Sequence, residues 1–282
     1  MASSDKGVRG QLTAARDETA HPDPGGEASR ARQTRRALVV LATYNERENL
    51  PIVLQRIWAA TDIDVLVVDD NSPDGTGAVA DRIASMEPRL QVIHRQGKAG
   101  LASALFAGYA HAFERGYQLA IEMDADLSHP PEDLPALIAA CDRADVAIGS
   151  RRVPGGSVVG RPAWRIALTA GACIWARTVL GLPMHDCTSG YRCIRTDALR
   201  VMDFSRIRSS GYGFLIELDW AIKRAGQRVV EVPITFNDRA HGLSKMRIGM
   251  IPEAMIMVLK LRFGLVPAAV LDSLEVPVGK AS

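Results

Sequence analysis

Asp124 and Asp126 flank Ala125 at the end of a short apolar run, Gln118–Met123. In extended backbone, residues i and i+2 project to the same side. The two carboxylates therefore face one point at a strand end. Carboxylates that close repel each other, and a divalent cation removes the conflict. Hard oxygen ligands with coordination positions to spare suit Mg²⁺ or Mn²⁺, which share their shells with substrate phosphates. Such an ion would offset charge on a leaving diphosphate. A solvated turn also uses aspartates, so the triplet needs company before it means chemistry.

Company comes from other polar clusters. Asp69-Asp70 ends a second apolar run, where a carboxylate can accept hydrogen bonds from a nucleobase or ribose or cap the next helix. Ser72-Pro73-Asp74-Gly75 behind it is a turn signal. Lys98 lies between Gly97 and Gly100 just before a helix, and helix starts attract phosphate. Neither G-x-x-x-x-G-K-[ST] nor G-x-G-x-x-G is present, which excludes a P-loop and a standard dinucleotide site. Basic residues fall late, at Arg151, Arg152, Arg161, Arg165, Arg239, Lys245 and Arg247. Arginine suits bidentate phosphate contact, and Asp238 to Lys245 reads as a loop presenting cations. His129 and His241 have no Ser or Cys nucleophile motif beside them and read as structural or supporting groups.

These clusters need a scaffold. Ala37–Ala42, Asp64–Val68, Leu90–Ile93, Gln118–Met123 and Ala144–Gly149 are short apolar runs of the kind buried on both faces of a parallel sheet. Helical spacing fills the gaps at Asn49–Ala60, Thr76–Ser85, Ala99–Arg115 and Glu132–Cys141. Strand and helix alternate five times, which predicts an α/β fold with a mostly parallel central sheet flanked by helices. Ligands of such sheets sit beyond the carboxyl ends of the strands. The polar clusters fall there, at Thr43 to Glu46, Asp69 to Ser72, Asp124 to Asp126 and Ser150 to Arg152. Beyond Arg152 the expected elements are helices at Pro162–Leu180, Gly213–Arg224 and Gly249–Arg262, and a strand at Val229–Thr235.

Bulk properties set limits. The chain has 282 residues, 47% of them hydrophobic, and a net charge of +2. It is large enough to bury a core without disulfides, and it lacks the global basic field of a nucleic-acid binder. Cys141, Cys173, Cys187 and Cys193 form no C-x-x-C pair and read as reduced and structural. Residues 1–36 contain no apolar h-region and read as a disordered tail. No stretch reaches the roughly 18 apolar residues that span a bilayer. One domain is expected over 37–262, with a flexible tail over 263–282.

Three segments carry a resemblance: Thr43-Tyr44-Asn45-Glu46-Arg47-Glu48-Asn49, Val67 through Thr76, and Met123 through Pro130. With Gly149-Ser150-Arg151, Thr188 to Arg192, Gly211 to Phe214, Val232 to Phe236, and Asp238-Arg239 through Ser244-Lys245, they resemble the polyprenol/dolichol-phosphate mannose synthases. These are inverting glycosyltransferases of family 2 with the GT-A nucleotide-diphospho-sugar transferase fold. The resemblance spans about 37 to 250. It implies mannose transfer from GDP-mannose to a polyprenyl monophosphate. By the family pattern Ala42, Tyr44 and Glu46 contact the guanosine end, and Val68 and Asp70 complete the nucleotide pocket. Asp124, Ala125 and Asp126 hold the diphosphate and a Mg²⁺ or Mn²⁺ ion. Arg151, Arg239 and Lys245 reach the donor phosphates, the acceptor phosphate, or both, which makes Asp126, Arg239 and Lys245 the expected catalytic residues. Ser128 stands where some relatives carry a Gln near the metal. The Gln-x-x-Arg-Trp element of processive polysaccharide synthases is missing.

The chemistry agrees with that assignment. A phosphate monoester is already an anion, so it needs no general base. The expected location is the cytoplasmic face of a membrane, as a peripheral protein, and a separate membrane-anchoring protein is a plausible partner. The helices at Pro162–Leu180 and Gly249–Arg262 could lie in the membrane interface or simply pack in the core. Rival readings are a lipid-phosphate glucosyltransferase using UDP-glucose, a metal-dependent nucleotide-sugar hydrolase, and a silent nucleotide-binding scaffold.

Overall fold

The computed structural model describes residues 36–98, 100–204, 207–209, 213–238 and 250–266, apart from the side chains of 250–254. The tail expected over 1–36 therefore lies, except for Arg36, outside the described residues. So do the cation loop from Arg239 to Lys245, Gly211-Tyr212, and the terminal tail beyond Val266.

The elements run β1 (Ala37–Thr43), α1 (Asn49–Ala60), β2 (Asp64–Asp69), α2 (Thr76–Ala84), β3 (Leu90–His94), α3 (Leu101–Glu114), β4 (Leu119–Asp124), α4 (Leu134–Ala140) and β5 (Val146–Ser150). After these come β6 (Ser157–Val159), α5 (Ala163–Leu180), β7 (Arg192–Arg195), α6 (Thr196–Arg200), α7 (Gly213–Arg224), β8 (Val229–Pro233), β9 (Thr235–Asn237) and α8 (Met250–Arg262). The main sheet has the order β3-β2-β1-β4-β7-β5-β8. Every neighbouring pair in it is parallel except those made by β7, which is antiparallel to β4 and to β5. Strands β6 and β9 form a small parallel ribbon.

The period of two along each strand divides the core. Leu38 and Val40 of β1 join Leu66 and Val68 of β2 against α3, α5 and α7. Ala37, Val39 and Leu41 join Val65 and Val67 on the opposite face, under α1 and α4. Helix α1 buries Leu50, Val53, Leu54 and Ile57, the stripe its sequence spacing predicts. Helix α5 is apolar nearly all round but buries only Thr169, Cys173, Ala176 and Leu180, a narrow stripe spaced 4, 3 and 4. Trp164 and Ile174 are left exposed.

Strand β7 was not expected from the sequence. It is four residues, Arg-Cys-Ile-Arg, too short for a period and charged at both ends. It enters the sheet because its first charge has a buried partner: Arg192 pairs with Asp219 of α7 at 3.0 Å, and neither side chain is exposed. The strand expected over Val229–Thr235 is divided at Ile234, with β8 completing the main sheet and β9 the ribbon. All four cysteines are buried and free, as their spacing suggests.

Helix α3 presses unusually close to β1. A Cβ added at Gly108 would lie 2.4 Å from Val40 Cγ1. Gly108→Ala gains up to roughly 1 kcal/mol of helix propensity, but overpacking costs more. The expected net loss is about 1–2 kcal/mol, read as a lower urea midpoint, and Gly108→Ala combined with Val40→Ala should recover part of it.

Candidate active site

Ala42 of β1 is opposite Val68 of β2 on one side and Asp124 of β4 on the other. Three of the expected donor contacts thus form one row at the carboxyl edge of the sheet. The chain leaves each of these strands through a left-handed residue: Asn45 (φ 62°), Asn71 (φ 56°) and Leu127 (φ 65°). Asparagine tolerates this region, but leucine adopts it at a cost of about 1–2 kcal/mol. Asp126 and Ser128 hold the Leu127 turn. Asp126 Oδ1 accepts hydrogen bonds from Ser128 N at 3.1 Å and Ser128 Oγ at 2.6 Å. The Ser128 carbonyl in turn accepts from Asn237 N.

In the β1–β2 half each carboxylate has its own partners. Asp69 accepts from Thr43 Oγ1, Ser72 N and Ser72 Oγ, which makes the turn. Asp74, not Asp70, serves the start of α2, accepting from Thr76 N and Oγ1 and from Arg47 N. Burial opposes ionisation of Asp74, but these hydrogen bonds prevail and hold its carboxyl below the ordinary range. Asp70 pairs with Arg95 at 2.8 Å and accepts from Gly100 N at 3.2 Å. Glu46 accepts from Asn49 Nδ2 through its carboxylate, and its backbone N–H donates to Thr76 Oγ1. Tyr44 carries the Lys98 ammonium over its ring, 4.0 Å from the centroid.

The β4 half is built differently. The side chain of Asp124 is 40% exposed, while Asp126 is buried. The two carboxylates of the triplet thus have unlike surroundings, and Ala125 between them packs into the core under α1 and α4. His129 is buried, and its Nδ1 accepts the backbone N–H of Asp124 at 3.1 Å. Burial pushes its imidazole down to about 4, so it is neutral at pH 7 with the proton on Nε2. It stacks on Tyr191 at 5.0 Å and meets Phe236 edge-on at 5.6 Å. His129 is a support for the Asp124 backbone, as its lack of a nucleophile partner suggests.

Cations gather over Phe236. Arg151 lies over its ring at 5.1 Å and Arg161 at 4.7 Å. Arg151 is held by Asp186 through Nη2–Oδ1 at 2.6 Å, Nε–Oδ2 at 2.7 Å and the backbone N–H at 3.0 Å, and also donates to Thr188 Oγ1. Burial works against the Arg151 charge; Asp186 overrides it, and the Asp124 carboxylate adds in the same sense. Arg152 donates to Thr169 Oγ1 and lies 4.0 Å from Asp186. Arg151 is expected from the sequence but Asp186 is not; it is fully buried and 35 residues away in sequence. Its only sequence signal is its position two residues before Thr188-Ser189-Gly190, the segment that passes beside Asp124. Arg239 and Lys245 lie outside the described residues.

Residues 38–202 match the family described as Glycosyl transferase family 2. The polyprenol monophosphomannose synthase of Mycolicibacterium smegmatis is 48% identical over 237 residues, covering 83% of this chain and 89% of that one. The chain belongs to glycosyltransferase family 2. The undecaprenyl-phosphate mannosyltransferase of Micrococcus luteus is also 48% identical, over 80% of this glycosyltransferase and 93% of its own length. Among solved structures, glucosyl-3-phosphoglycerate synthase from Mycobacterium tuberculosis, in complex with phosphoglyceric acid, superposes with a TM-score of 0.61 at 21% identity, covering 89% of this chain and 87% of that one. That likeness establishes the GT-A fold expected from the sequence.

In the glycosyltransferase, Asp186 is the fixed point of the cation side. Burial pushes its carboxyl up, but the Arg151 hydrogen bonds and charge more than offset this and hold it near 2. A free aspartate titrates near ~3.9. The stabilisation is therefore complete above pH ~4 and is lost as pH falls toward 2. Asp186→Asn should cost about 3 kcal/mol by stranding Arg151. Melting temperatures followed from pH 5 to 2.5 should fall less steeply in the variant than in the wild type.

Proposed function

We infer that this glycosyltransferase moves mannose from GDP-mannose to a polyprenyl monophosphate, giving polyprenyl-phosphate mannose and GDP. The 48% identity to polyprenol monophosphomannose synthase over most of both chains carries the reading.

Ala42, Tyr44, Glu46, Val68 and Asp70 are proposed to receive the nucleoside along the β1–β2 edge. Asp124 and Asp126 offer hard oxygens at a strand end, one open to solvent, which fits Mg²⁺ or Mn²⁺ sharing its shell with phosphate oxygens. When bound, that ion neutralises charge on the departing diphosphate. Among the described residues no group of three or more His, Cys, Asp or Glu is arranged to enclose an ion, so ligand oxygens would complete the shell. The acceptor phosphate attacks the anomeric carbon in line, with inversion. It is anionic and needs no base, and neutral His129 faces the Asp124 backbone instead of offering one. Two like charges at 4 Å repel by about 4 kcal/mol at an effective dielectric near 20. Arg151 and the nearby Arg152 and Arg161 are proposed to offset that repulsion, together with Arg239 and Lys245.

A membrane surface is the proposed source of the lipid. Helices α5 and α8 pack together. Trp164, Ile174, Met255, Ile256, Leu259, Phe263 and Leu265 are exposed on and just beyond them. No helix among the described residues is long and apolar enough to cross a membrane. These side chains support an interfacial face; its placement on the cytoplasmic side and a separate anchoring protein as partner are proposed with it.

Radiolabelled GDP-mannose, Mg²⁺ and a polyprenyl phosphate should yield lipid-soluble label. Asp126→Ala should reduce it on the order of a hundredfold or more. Label transferred from UDP-glucose instead, free mannose released without lipid, or a retained anomeric configuration would each overturn the reading. The membrane face has its own check. Ile256→Glu with Phe263→Glu should abolish flotation with anionic vesicles while leaving GDP binding intact.

A further inference from the structure

The loop that carries Lys98 is tied to the end of β2 at Arg95, Gln96 and Gly100. Arg95 N donates to the Asp69 carbonyl, and the Arg95 guanidinium pairs with Asp70. Asn71 Nδ2 donates to the Gln96 carbonyl, and Gly100 N donates to the Asp70 carboxylate. The loop therefore cannot swing away from the carboxyl edge without breaking these contacts. Lys98, near its tip, is exposed and reaches back so that its ammonium rests over the Tyr44 ring at 4.0 Å. Among the described residues no carboxylate pairs with it.

A lysine on a neutral ring at an exposed position is weakly held. The same ammonium makes a stronger, charge-assisted hydrogen bond when an anionic oxygen comes within reach. Tyr44 follows β1, the strand between β2, which Asp70 follows, and β4, which ends at Asp124. A nucleotide whose nucleoside lies near Asp70 and whose diphosphate lies near Asp124 must cross this strand end. We propose that Lys98 is a ligand of the donor diphosphate, held over Tyr44 by the pinned loop and transferring its ammonium from the ring to a phosphate oxygen as the nucleotide seats. The proposal rests on the nucleotide-sugar reading of the site and adds to it a residue on the opposite side of the β1 end from the Asp124–Asp126 pair. No covalent step is involved, because Lys98 contributes charge and position alone.

The test is calorimetric titration of the full chain with GDP, GMP and guanosine in the presence of Mg²⁺, and with UDP in parallel. Lys98→Met should weaken GDP by about tenfold and leave guanosine within about twofold. Lys98→Arg should recover most of the loss. In turnover, the KM for the donor should rise more than kcat falls. Equal losses for GDP and guanosine would mean that Lys98 serves the nucleoside or the fold, and an unchanged GDP affinity would mean that it serves neither; either result overturns the proposal. Wild type that binds UDP but not GDP would sink the GDP-mannose reading instead, and the Lys98→Met comparison would then be made with UDP and uridine. Unchanged melting of the variants separates lost binding from lost folding.

Discussion

Carboxylates gather at the carboxyl edge of β1, β2 and β4, and the need to hold each of them is the constraint around which the site is arranged. Asp69, Asp70, Asp74, Asp124 and Asp126 all fall within a few residues of these strand ends. Each partner identified there has its own job. Hydroxyls and amides of Thr43 and Ser72 take Asp69, Arg95 takes Asp70, Thr76 and Arg47 take Asp74, and Ser128 takes one oxygen of Asp126. The partners come mostly from the turns themselves, so the same hydrogen bonds that tolerate the charge also fix the backbone. That is why left-handed Asn45, Asn71 and Leu127 can persist there. Of Asp124 and Asp126, Asp124 has the side chain partly open to solvent, which is why it is proposed as the group that a cation and a diphosphate approach.

The second half of the site depends on β7 running against its neighbours. An antiparallel strand between β4 and β5 begins where they end, so the segment feeding it must pass the carboxyl edge. That segment carries Asp186, Thr188 and Gly190. A buried cation fixes it: Arg192 donates from Nε to the Ser189 carbonyl and from Nη2 to the Leu215 carbonyl, and pairs with Asp219. Removing two charges from water is expensive, and the carboxylate buried beside them carries a cost of its own. Burial pushes Glu122, opposite Arg192 in the β4 register, up to about 7, against the pull of Arg192, and Tyr109 Oη donates to it. Replacing such a cluster with apolar groups could be neutral or stabilising for the fold. Its value here is positional, since it ties β7, α7 and the Ser189 turn to the strand that carries Asp124.

The parallel strands and most of their helices were legible in the sequence, because burial on both faces demands short unbroken apolar runs and each run ends in polar residues. The row Ala42, Val68 and Asp124 follows from that pattern together with the register. Strand β7 was hidden because its burial depends on a charge pair with α7, 27 residues on, and no local period records such a pair. Asp186 was hidden for the same reason. An isolated aspartate in a loop looks like a turn residue until the chain brings Arg151 to it. The division of Val229–Thr235 into two strands was likewise invisible, since Val229 to Ile234 remains apolar apart from Glu231 across the switch between sheets. The cation loop from Arg239 to Lys245 was read from composition and family resemblance, and it lies outside the described residues.

Arg151 is engaged by the Asp186 segment and feels the Asp124 carboxylate, so it links the two halves of the site. Composition alone made it one cation among several with a claim on phosphate. Its geometry is that of a guanidinium already engaged on two edges by Asp186 and lying against Phe236. A bare arginine would offer an incoming phosphate more charge, but it would first have to be ordered, with the loss of most of its side-chain entropy. The bound one offers less net charge in a fixed position. Arg152 is drawn to the same carboxylate at 4.0 Å, so two guanidinium groups share one anion and the cluster keeps a positive excess. Under the proposed function, an acceptor monophosphate would be met by a preorganised surplus of charge rather than by free side chains. For a reaction whose nucleophile needs no base, that preorganisation is the main thing the protein can contribute on the acceptor side.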